Sequence, residues 1–169
     1  MLVVLFTSSK TTYNQTTDTN AKIKAMFVYN FTKYIEWPQN YKDGNFIIGI
    51  LGNSSLFSEL STMANSKKAG AQSFEIKNFS TTSSVSKCHM LIVSSDITVG
   101  FSDILSKVKN NSTLIITEKA GFAKQGAAIN FVVQNNKQAF ELNKANVEKY
   151  DLKVSSNLLA LAIVIDWND

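Results

Sequence analysis

The residues of this chain that could do chemistry are few, and the two most reactive, Cys88 and His89, are adjacent. They are the only cysteine and the only histidine. Successive residues of a strand point to opposite faces, so these side chains cannot form a nucleophile–base pair with each other. A buried thiol beside a hydrogen-bonded imidazole is the predicted arrangement. A metal site would also need acidic ligands, and the acids show no spacing typical of a working pair: Glu75, Asp96, Asp103, Glu118 and Glu141. We therefore predict no catalytic residues, no metal, no cofactor and no enzymatic activity.

Recognition of nucleotides or nucleic acids is not favoured. Gly49 and Gly52 belong to a predicted strand and the turn after it, but they lack the GxGxxG pattern of dinucleotide sites and the Lys-Ser/Thr of a P-loop. The net charge is +4, yet all 17 basic residues are lysines. Arginine provides the bidentate grip on guanine and phosphate, and these lysines form no stripe. The sequence therefore predicts no nucleic-acid partner.

Length and composition predict one folded domain. The 169 residues include 44% apolar and 18% charged side chains, which is a globular balance. Residues 1–20 are predicted to be an N-terminal leader or signal-peptide remnant, because Met1 to Phe6 is apolar and a polar stretch follows it. By sequence alone the export signal is incomplete, since no positive charge precedes the apolar run and the run is shorter than the roughly 7–15 residues of a secretory signal. Residues 21–169 are predicted to form a single α/β domain. No stretch approaches the roughly 20 apolar residues of a membrane-spanning helix.

Apolar residues between Ala21 and Trp37 recur every three or four positions, which predicts a helix that Pro38 ends. Tyr29 and Trp37 lie off that stripe or at its end. Together with Tyr34 they form an aromatic excess typical of a contact surface, with Trp37 at the rim as an anchor. Packing against the sheet is the alternative for each of them.

Strand-like and helix-like segments alternate through the middle of the chain, which implies right-handed crossovers and a parallel sheet. The predicted fold class is α/β, a three-layer sandwich with a mostly parallel, flavodoxin- or Rossmann-like sheet. An antiparallel hairpin near the C-terminus is predicted to add an edge to this sheet. Strands are predicted at 45–51, 74–79, 88–94 and 113–117, helices near 56–63 and 101–108, and the hairpin strands at 127–133 and 138–142.

The stretch from Leu158 to Ile165 is apolar at nearly every position and predicts a buried helix, capped by Ser155 or Ser156. One sheet face covers only one side of such a helix. The first helix or another chain must cover the rest, which predicts a homodimer or the docking of a partner.

Polar residues near the C-terminus allow two interpretations. Asn143 has the position of an N-cap for a short helix that follows it. The alternative is a binding crevice at the strand ends, where Glu141 and Asn130 would meet the Ser155-Ser156 turn. The sequence leaves both interpretations open.

Several short motifs follow one another in a specific order along residues 21 to 165. They are Ala25-Met26-Phe27-Val28-Tyr29-Asn30-Phe31, Glu36-Trp37-Pro38, Cys88-His89-Met90-Leu91, Gly121-Phe122-Ala123, Gly126-Ala127-Ala128-Ile129-Asn130-Phe131, Phe140-Glu141-Leu142-Asn143 and Leu152-Lys153-Val154-Ser155-Ser156-Asn157-Leu158-Leu159-Ala160-Leu161-Ala162. This combination resembles the YfiR/HmsC-like family of bacterial periplasmic proteins. Members of that family often have a second glycine where Ala127 stands, and several have paired cysteines.

The resemblance implies a non-enzymatic periplasmic regulator. Such a protein would bind the periplasmic segment of an inner-membrane signalling protein, a diguanylate cyclase or a sensor kinase. By repressing the cyclase it would couple envelope signals to cyclic-di-GMP and biofilm formation. A small-molecule-binding periplasmic sensor domain for another receptor is the alternative, and a cytosolic flavodoxin-like enzyme is a third. Because the chain has one cysteine, Cys88 is predicted to be a buried free thiol without disulfide control.

Overall fold

The computed structural model describes residues 12–165, so the predicted apolar leader at Met1 to Phe6 lies outside the described residues. The helices are α1 (Thr12–Tyr34), α2 (Leu56–Ala64), α3 (Phe101–Val108), α4 (Lys144–Glu148) and α5 (Ser156–Leu159). The strands are β1 (Ile35–Glu36), β2 (Phe46–Leu51), β3 (Lys68–Ala69), β4 (Gln72–Phe79), β5 (Met90–Val93), β6 (Leu114–Thr117), β7 (Ile129–Gln134), β8 (Lys137–Leu142), β9 (Lys153–Val154) and β10 (Ile163–Val164).

The main sheet of the described residues has eight strands in the order β10-β8-β7-β6-β5-β2-β4-β3. The neighbouring strands from β4 to β7 are all parallel. Numbered among themselves in chain order they run 2-1-3-4-5, the order of flavodoxin-like sheets. The prediction of an α/β fold with a mostly parallel sheet is therefore confirmed.

The central strands are parallel because they are apolar on both faces. Every residue of β5 and β6 is buried, and such continuous apolar runs are typical of parallel strands covered from both sides. Ile48 of β2 lies opposite Met90 of β5, which in turn lies opposite Leu114 of β6. These three side chains are completely buried and mark the centre of the core.

The edge beyond β7 differs from the predicted one. β8 pairs with β7 in the antiparallel direction, from Ile129 opposite Leu142 to Gln134 opposite Lys137. Outside β8, however, β10 pairs with it in the parallel direction. The prediction that the hairpin forms the edge of the sheet is therefore wrong, because β10 occupies that position.

The first helix is longer than predicted and ends earlier. α1 runs from Thr12 to Tyr34, whereas the pattern of apolar residues predicts a helix from Ala21 to Trp37. Its last predicted turn is extended instead, because Ile35 and Glu36 pair as β1 with β9. On its buried side α1 packs against the β7–β8 pair through the rings of Phe27, Phe31, Phe131 and Phe140, with closest centroid distances of 5.2 and 5.0 Å.

The predicted helix from Leu158 to Ile165 is wrong. The helix α5 contains only Ser156–Leu159, and the chain then turns into strand β10. The β-branched residues of β10 favour an extended backbone, and the amide of Ile165 donates to the carbonyl oxygen of Leu142 at 3.0 Å. The apolar run is also not covered all round, since Leu161 is 65% exposed.

Candidate functional site

Trp37 lies inside an aromatic cluster. Its side chain is 6% exposed, and its ring meets that of Phe46 edge-on at 5.0 Å. The indole Nε1–H donates to the main-chain oxygen of His89 at 3.1 Å. The prediction of Trp37 as a rim anchor is therefore wrong. Because α1 ends at Tyr34, the extended residues that follow carry the indole against the residues that lead into β2 and β5.

His89 has partners for both of its ring nitrogens. The amide of Ile47 donates to Nδ1 at 3.0 Å, which requires an unprotonated Nδ1. Nε2 therefore carries the proton and donates it to the main-chain oxygen of Tyr41 at 2.7 Å. Burial, with a smaller contribution from the nearby charge of Lys87, lowers the pKa of His89 despite its bond to Tyr41. The imidazole is a neutral structural group rather than a free base.

The thiol of Cys88 is free and buried, as predicted. Its residue is 1% exposed, and burial raises the pKa of the thiol to about 12. Since the thiolate is the nucleophilic form of cysteine, this thiol is poorly suited to attack a substrate.

Asn130 and Glu141 contact each other across neighbouring strands. They are register partners across β7 and β8, and Asn130 Nδ2 donates to Glu141 Oε2 at 3.0 Å. The hydroxyl of Thr117 donates to Asn130 Oδ1 at 2.6 Å. Both Thr117 and Asn130 are completely buried, whereas Glu141 is half-buried. Glu141 is therefore the one member of this trio with a side chain that reaches solvent.

Asn143 and Ser155 are helix caps. Asn143 Oδ1 accepts from the amide of Asn146 at 3.1 Å and begins α4, which confirms the capping interpretation. Ser155 Oγ accepts from the amide of Leu158 at 3.3 Å and begins α5. The amide of Ser155 also donates to the main-chain oxygen of Tyr34 at 2.9 Å. The turn thus lies against the end of α1.

Ser156 and Tyr34 belong to the surroundings of that turn. Ser156 is the exposed first residue of α5, and Tyr34 is half-buried. A shallow hollow of about 280 Å³ lies between the end of α1 and β9, lined by Lys33, Tyr34, Ile35, Glu36, Lys153, Val154 and Ser155. The structure thus assigns Tyr34 and Ser155 to one surface and the Asn130–Glu141 pair to a second group.

Tyr29 lies in a groove between α1 and α2, which we call the α1–α2 groove. This groove has a volume of about 440 Å³ and is lined by Lys22, Ala25, Met26, Tyr29, Asn30, Glu59, Thr62, Met63, Ser66 and Lys67. Sequence reasoning missed the α2 side of the groove. The signal was present in the spacing of Glu59, Thr62 and Met63, which share one face of α2, but the sequence does not say which helices are neighbours.

The crevice typical of this sheet order lies at the carboxyl ends of β2 and β5. Here both carboxylate oxygens of Asp96 accept from the amide of Asn53 at 3.2 Å, and Ser94 Oγ donates to the carbonyl oxygen of Asn53. Gly52, at a φ of 94°, approaches so closely that an added Cβ would lie 2.5 Å from Asp96 Oδ1. The exposed carboxylate of Asp96 at these strand ends disfavours an anionic ligand there.

A family model described as YfiR/HmsC-like matches residues 21–163. The chain belongs to the YfiR/HmsC-like family. This family is one of periplasmic regulatory, non-enzymatic proteins. A comparison with curated proteins finds no match.

The YfiR/HmsC-like match extends from α1 to the first residue of β10 and so includes the whole main sheet except Val164. Within residues 12–165, no group of three or more His, Cys, Asp or Glu side chains could hold a metal ion. No helix in this described part is long and apolar enough to cross a membrane.

Proposed function

We propose that this chain is a periplasmic regulator that binds the periplasmic segment of an inner-membrane diguanylate cyclase and holds the cyclase inactive. Envelope signals would relieve this repression and so raise cyclic-di-GMP and biofilm formation. The observation that carries the proposal is the YfiR/HmsC-like match across residues 21–163, since it covers nearly all of the described fold.

The chemistry of the interior supports binding rather than catalysis. His89 uses both ring nitrogens to hold main-chain groups, and the thiol of Cys88, with its pKa of about 12, is a poor nucleophile at neutral pH. The chain has no second residue of either type. A regulator that acts by binding needs only a stable surface, and the hydrogen bonds of His89 and the burial of Cys88 contribute to the stability of the fold that presents it.

The β10 edge is the surface that we assign to the partner. β10 is the last strand of the main sheet, and its outer backbone groups face away from β8. Beside it, Leu161 is 65% and Val164 is 48% exposed. Glu141 lies opposite Ile163 in the neighbouring strand and adds a half-buried carboxylate. An apolar pair with a free strand edge is a common basis for protein association.

Capture from membranes tests this assignment. The tagged chain is incubated with detergent-solubilised inner membranes, and the bound proteins are identified by mass spectrometry. Leu161→Asp should weaken capture of the cyclase by about 2 kcal/mol or more, a typical hot-spot value. Val133→Asp is the matched control, because Val133 on β7 is 64% exposed and lies at the other end of the β7–β8 pair. Both variants should keep the circular dichroism spectrum of the parent.

Three results would contradict the proposal. One is recovery of the protein only from the cytosol when the gene is expressed with its natural upstream region. Another is equal capture by the Leu161→Asp and Val133→Asp variants. The third is an unchanged cyclic-di-GMP level after deletion of the gene. Capture of a sensor kinase in place of a cyclase would support the proposal of a periplasmic regulator but would contradict the proposal that its partner is a cyclase.

A homodimer through the same β10 edge is a related proposal. Two copies could pair their outer strands, and Leu161 would then be shared between them. Light scattering across a concentration series distinguishes the two uses of the edge. A monomer at all concentrations, with cyclase capture intact, assigns the edge to the partner alone.

A further inference from the structure

The α1–α2 groove has an apolar floor and an exposed wall. Met26 is 65% exposed in the middle of α1, although its neighbours Ala25 and Val28 are buried. Met63 faces the groove from α2 and is half-buried. Methionine side chains are flexible and polarisable and adapt to apolar ligands of different shape. The volume of about 440 Å³ lies within the range of about 300–1,000 Å³ that is usual for small-molecule sites.

Two lysine ammonium groups converge on the aromatic ring of the groove. Lys33 Nζ lies 4.2 Å and Lys67 Nζ lies 5.8 Å from the ring centroid of Tyr29. Neither forms an ion pair with an acid in the part of the chain that the structure describes; the pairs found there use Lys24, Lys42, Lys77 and Lys144. Because neither of these two cations is ion-paired there, they create a positive potential beside the ring that favours an anion.

We propose that the α1–α2 groove binds a single-chain carboxylate amphiphile, of which a medium-chain fatty acid is the simplest example. The aliphatic chain would lie along Ala25, Met26 and Met63. The carboxylate would lie at the Tyr29 end, where it would pair with Lys67 of the lining and with Lys33, which is outside the lining but lies over the Tyr29 ring. The phenol ring provides a flat wall where the apolar and charged parts meet. This inference concerns a different face from the β10 edge and does not depend on the proposed partner.

The dimensions of the groove favour a small amphiphile over a docked helix. Along α1 the lining runs from Lys22 to Asn30, which is about 12 Å at the rise of an α-helix. α2 has nine residues, a length of about 14 Å. A docked helix would therefore place only about two turns in a groove of this length.

Isothermal titration calorimetry with decanoate tests the site. The parent chain should bind decanoate, and decanol and decyltrimethylammonium should bind about tenfold more weakly or worse, since they lack the charge that the lysines recognise. The double variant Lys33→Gln, Lys67→Gln should lose about tenfold in decanoate affinity. The double variant Lys109→Gln, Lys149→Gln removes the same charge at two exposed positions that follow α3 and α4 and lie outside the lining. It is the charge-matched control and should bind decanoate as the parent does.

A crossed pair of variants separates this site from the partner surface. Met26→Asp should abolish decanoate binding and leave cyclase capture intact. Leu161→Asp should weaken cyclase capture and leave decanoate binding intact. Met26 and Leu161 are both 65% exposed, so neither change should alter the fold. Equal binding of decanoate and decanol, or full decanoate binding by the lysine double variant, would overturn the proposal. So would loss of cyclase capture in Met26→Asp together with no decanoate binding by the parent, because the groove would then be a protein-docking surface.

Discussion

Trp37 Nε1 lies 3.1 Å from the main-chain oxygen of His89, and this hydrogen bond joins the segment after α1 to the strand at the centre of the sheet. The two residues are 52 positions apart in the chain. His89 in turn binds Tyr41 and Ile47, and its ring stacks on Phe46 at 4.2 Å. The aromatic cluster around His89 therefore fixes the loop from Pro38 to Asn45 from both of its ends.

Replacement of Trp37 is predicted to affect stability rather than recognition. Trp37→Ala should lower the free energy of unfolding by about 3–5 kcal/mol, because a large buried ring is removed. Trp37→Phe keeps most of the apolar contact but loses the hydrogen bond to His89 and part of the ring volume. It should therefore lower the free energy of unfolding by about 1–2 kcal/mol. Urea denaturation measures both values. Cyclase capture by the folded Trp37→Phe variant should equal that of the parent. A loss of capture without a loss of stability would show instead that Trp37 belongs to the interface with the partner.

The buried imidazole of His89 predicts a loss of stability in mild acid. Its pKa is lowered in the folded state, so the unfolded chain binds a proton first as the pH falls below the ordinary histidine value of 6.5. Stability should be complete above that pH and should decrease below it by at most about 1.4 kcal/mol per pH unit. Protonation also needs a hydrogen on Nδ1, where the Ile47 amide already points. Unfolding free energies measured from pH 7.5 to 5 give the slope.

His89→Gln is the control for this pH dependence. The chain has one histidine, so the variant removes the only side chain that ordinarily titrates between pH 5 and 7. It should be less stable than the parent at pH 7.5, because Tyr41 and Ile47 lose well-placed partners, yet its stability should change little from pH 7.5 to 5.5. An equal slope in both proteins would show that other groups cause the acid sensitivity.

Cys88 is predicted to react slowly in the folded protein. Its thiol is buried, and the pKa of about 12 leaves almost no thiolate at neutral pH. A maleimide or disulfide reagent should label it over hours in native buffer and within minutes in denaturant. Rapid native labelling would reveal an opening of the sheet near β5 and would make an intermolecular disulfide plausible.

Local patterns were sufficient to predict the longer strands of the sheet but not its two short outer strands, β3 and β10. The apolar runs at β2, β5 and β6 have turn signals on both sides, so their strand character was readable. The run from Leu158 to Ile165 has neither period nor internal break, and such a run fits a buried helix as well as a strand. Pairing with Leu142 of β8 decides in favour of β10. That contact is long-range and has no local signature.

The candidate site was predictable only where a residue's neighbours are close in sequence. The caps at Asn143 and Ser155 depend on an amide three residues later, so their roles followed from local rules. Trp37 and Tyr29 depend on partners from other elements. Trp37 is buried because the chain after Pro38 brings Phe46 and His89 against it, and the groove at Tyr29 exists only because α2 packs beside α1.

The hydrogen-bonded pair of Asn130, which is buried, and Glu141, which is half-buried, supplies the last prediction. Asn130→Asp keeps the size of the side chain and the bond from Thr117, but it replaces the amide donor that faces Glu141 with a carboxylate. Two carboxylates in contact disfavour the charged form of each other, so the variant should lose about 2 kcal/mol of unfolding free energy at pH 7. Urea denaturation again provides the measurement.

Adding Glu141→Gln to Asn130→Asp should restore most of this loss, because the new amide can donate to the aspartate. The double-mutant cycle should therefore give a coupling of about 1–3 kcal/mol between the two positions. Glu148→Gln on α4 is the control; Glu148 is exposed and paired only with Lys144, so combining it with Asn130→Asp should give no coupling beyond about 0.5 kcal/mol. Equal stability of Asn130→Asp with and without Glu141→Gln would contradict this prediction, because it would show that the side chains at positions 130 and 141 are not coupled.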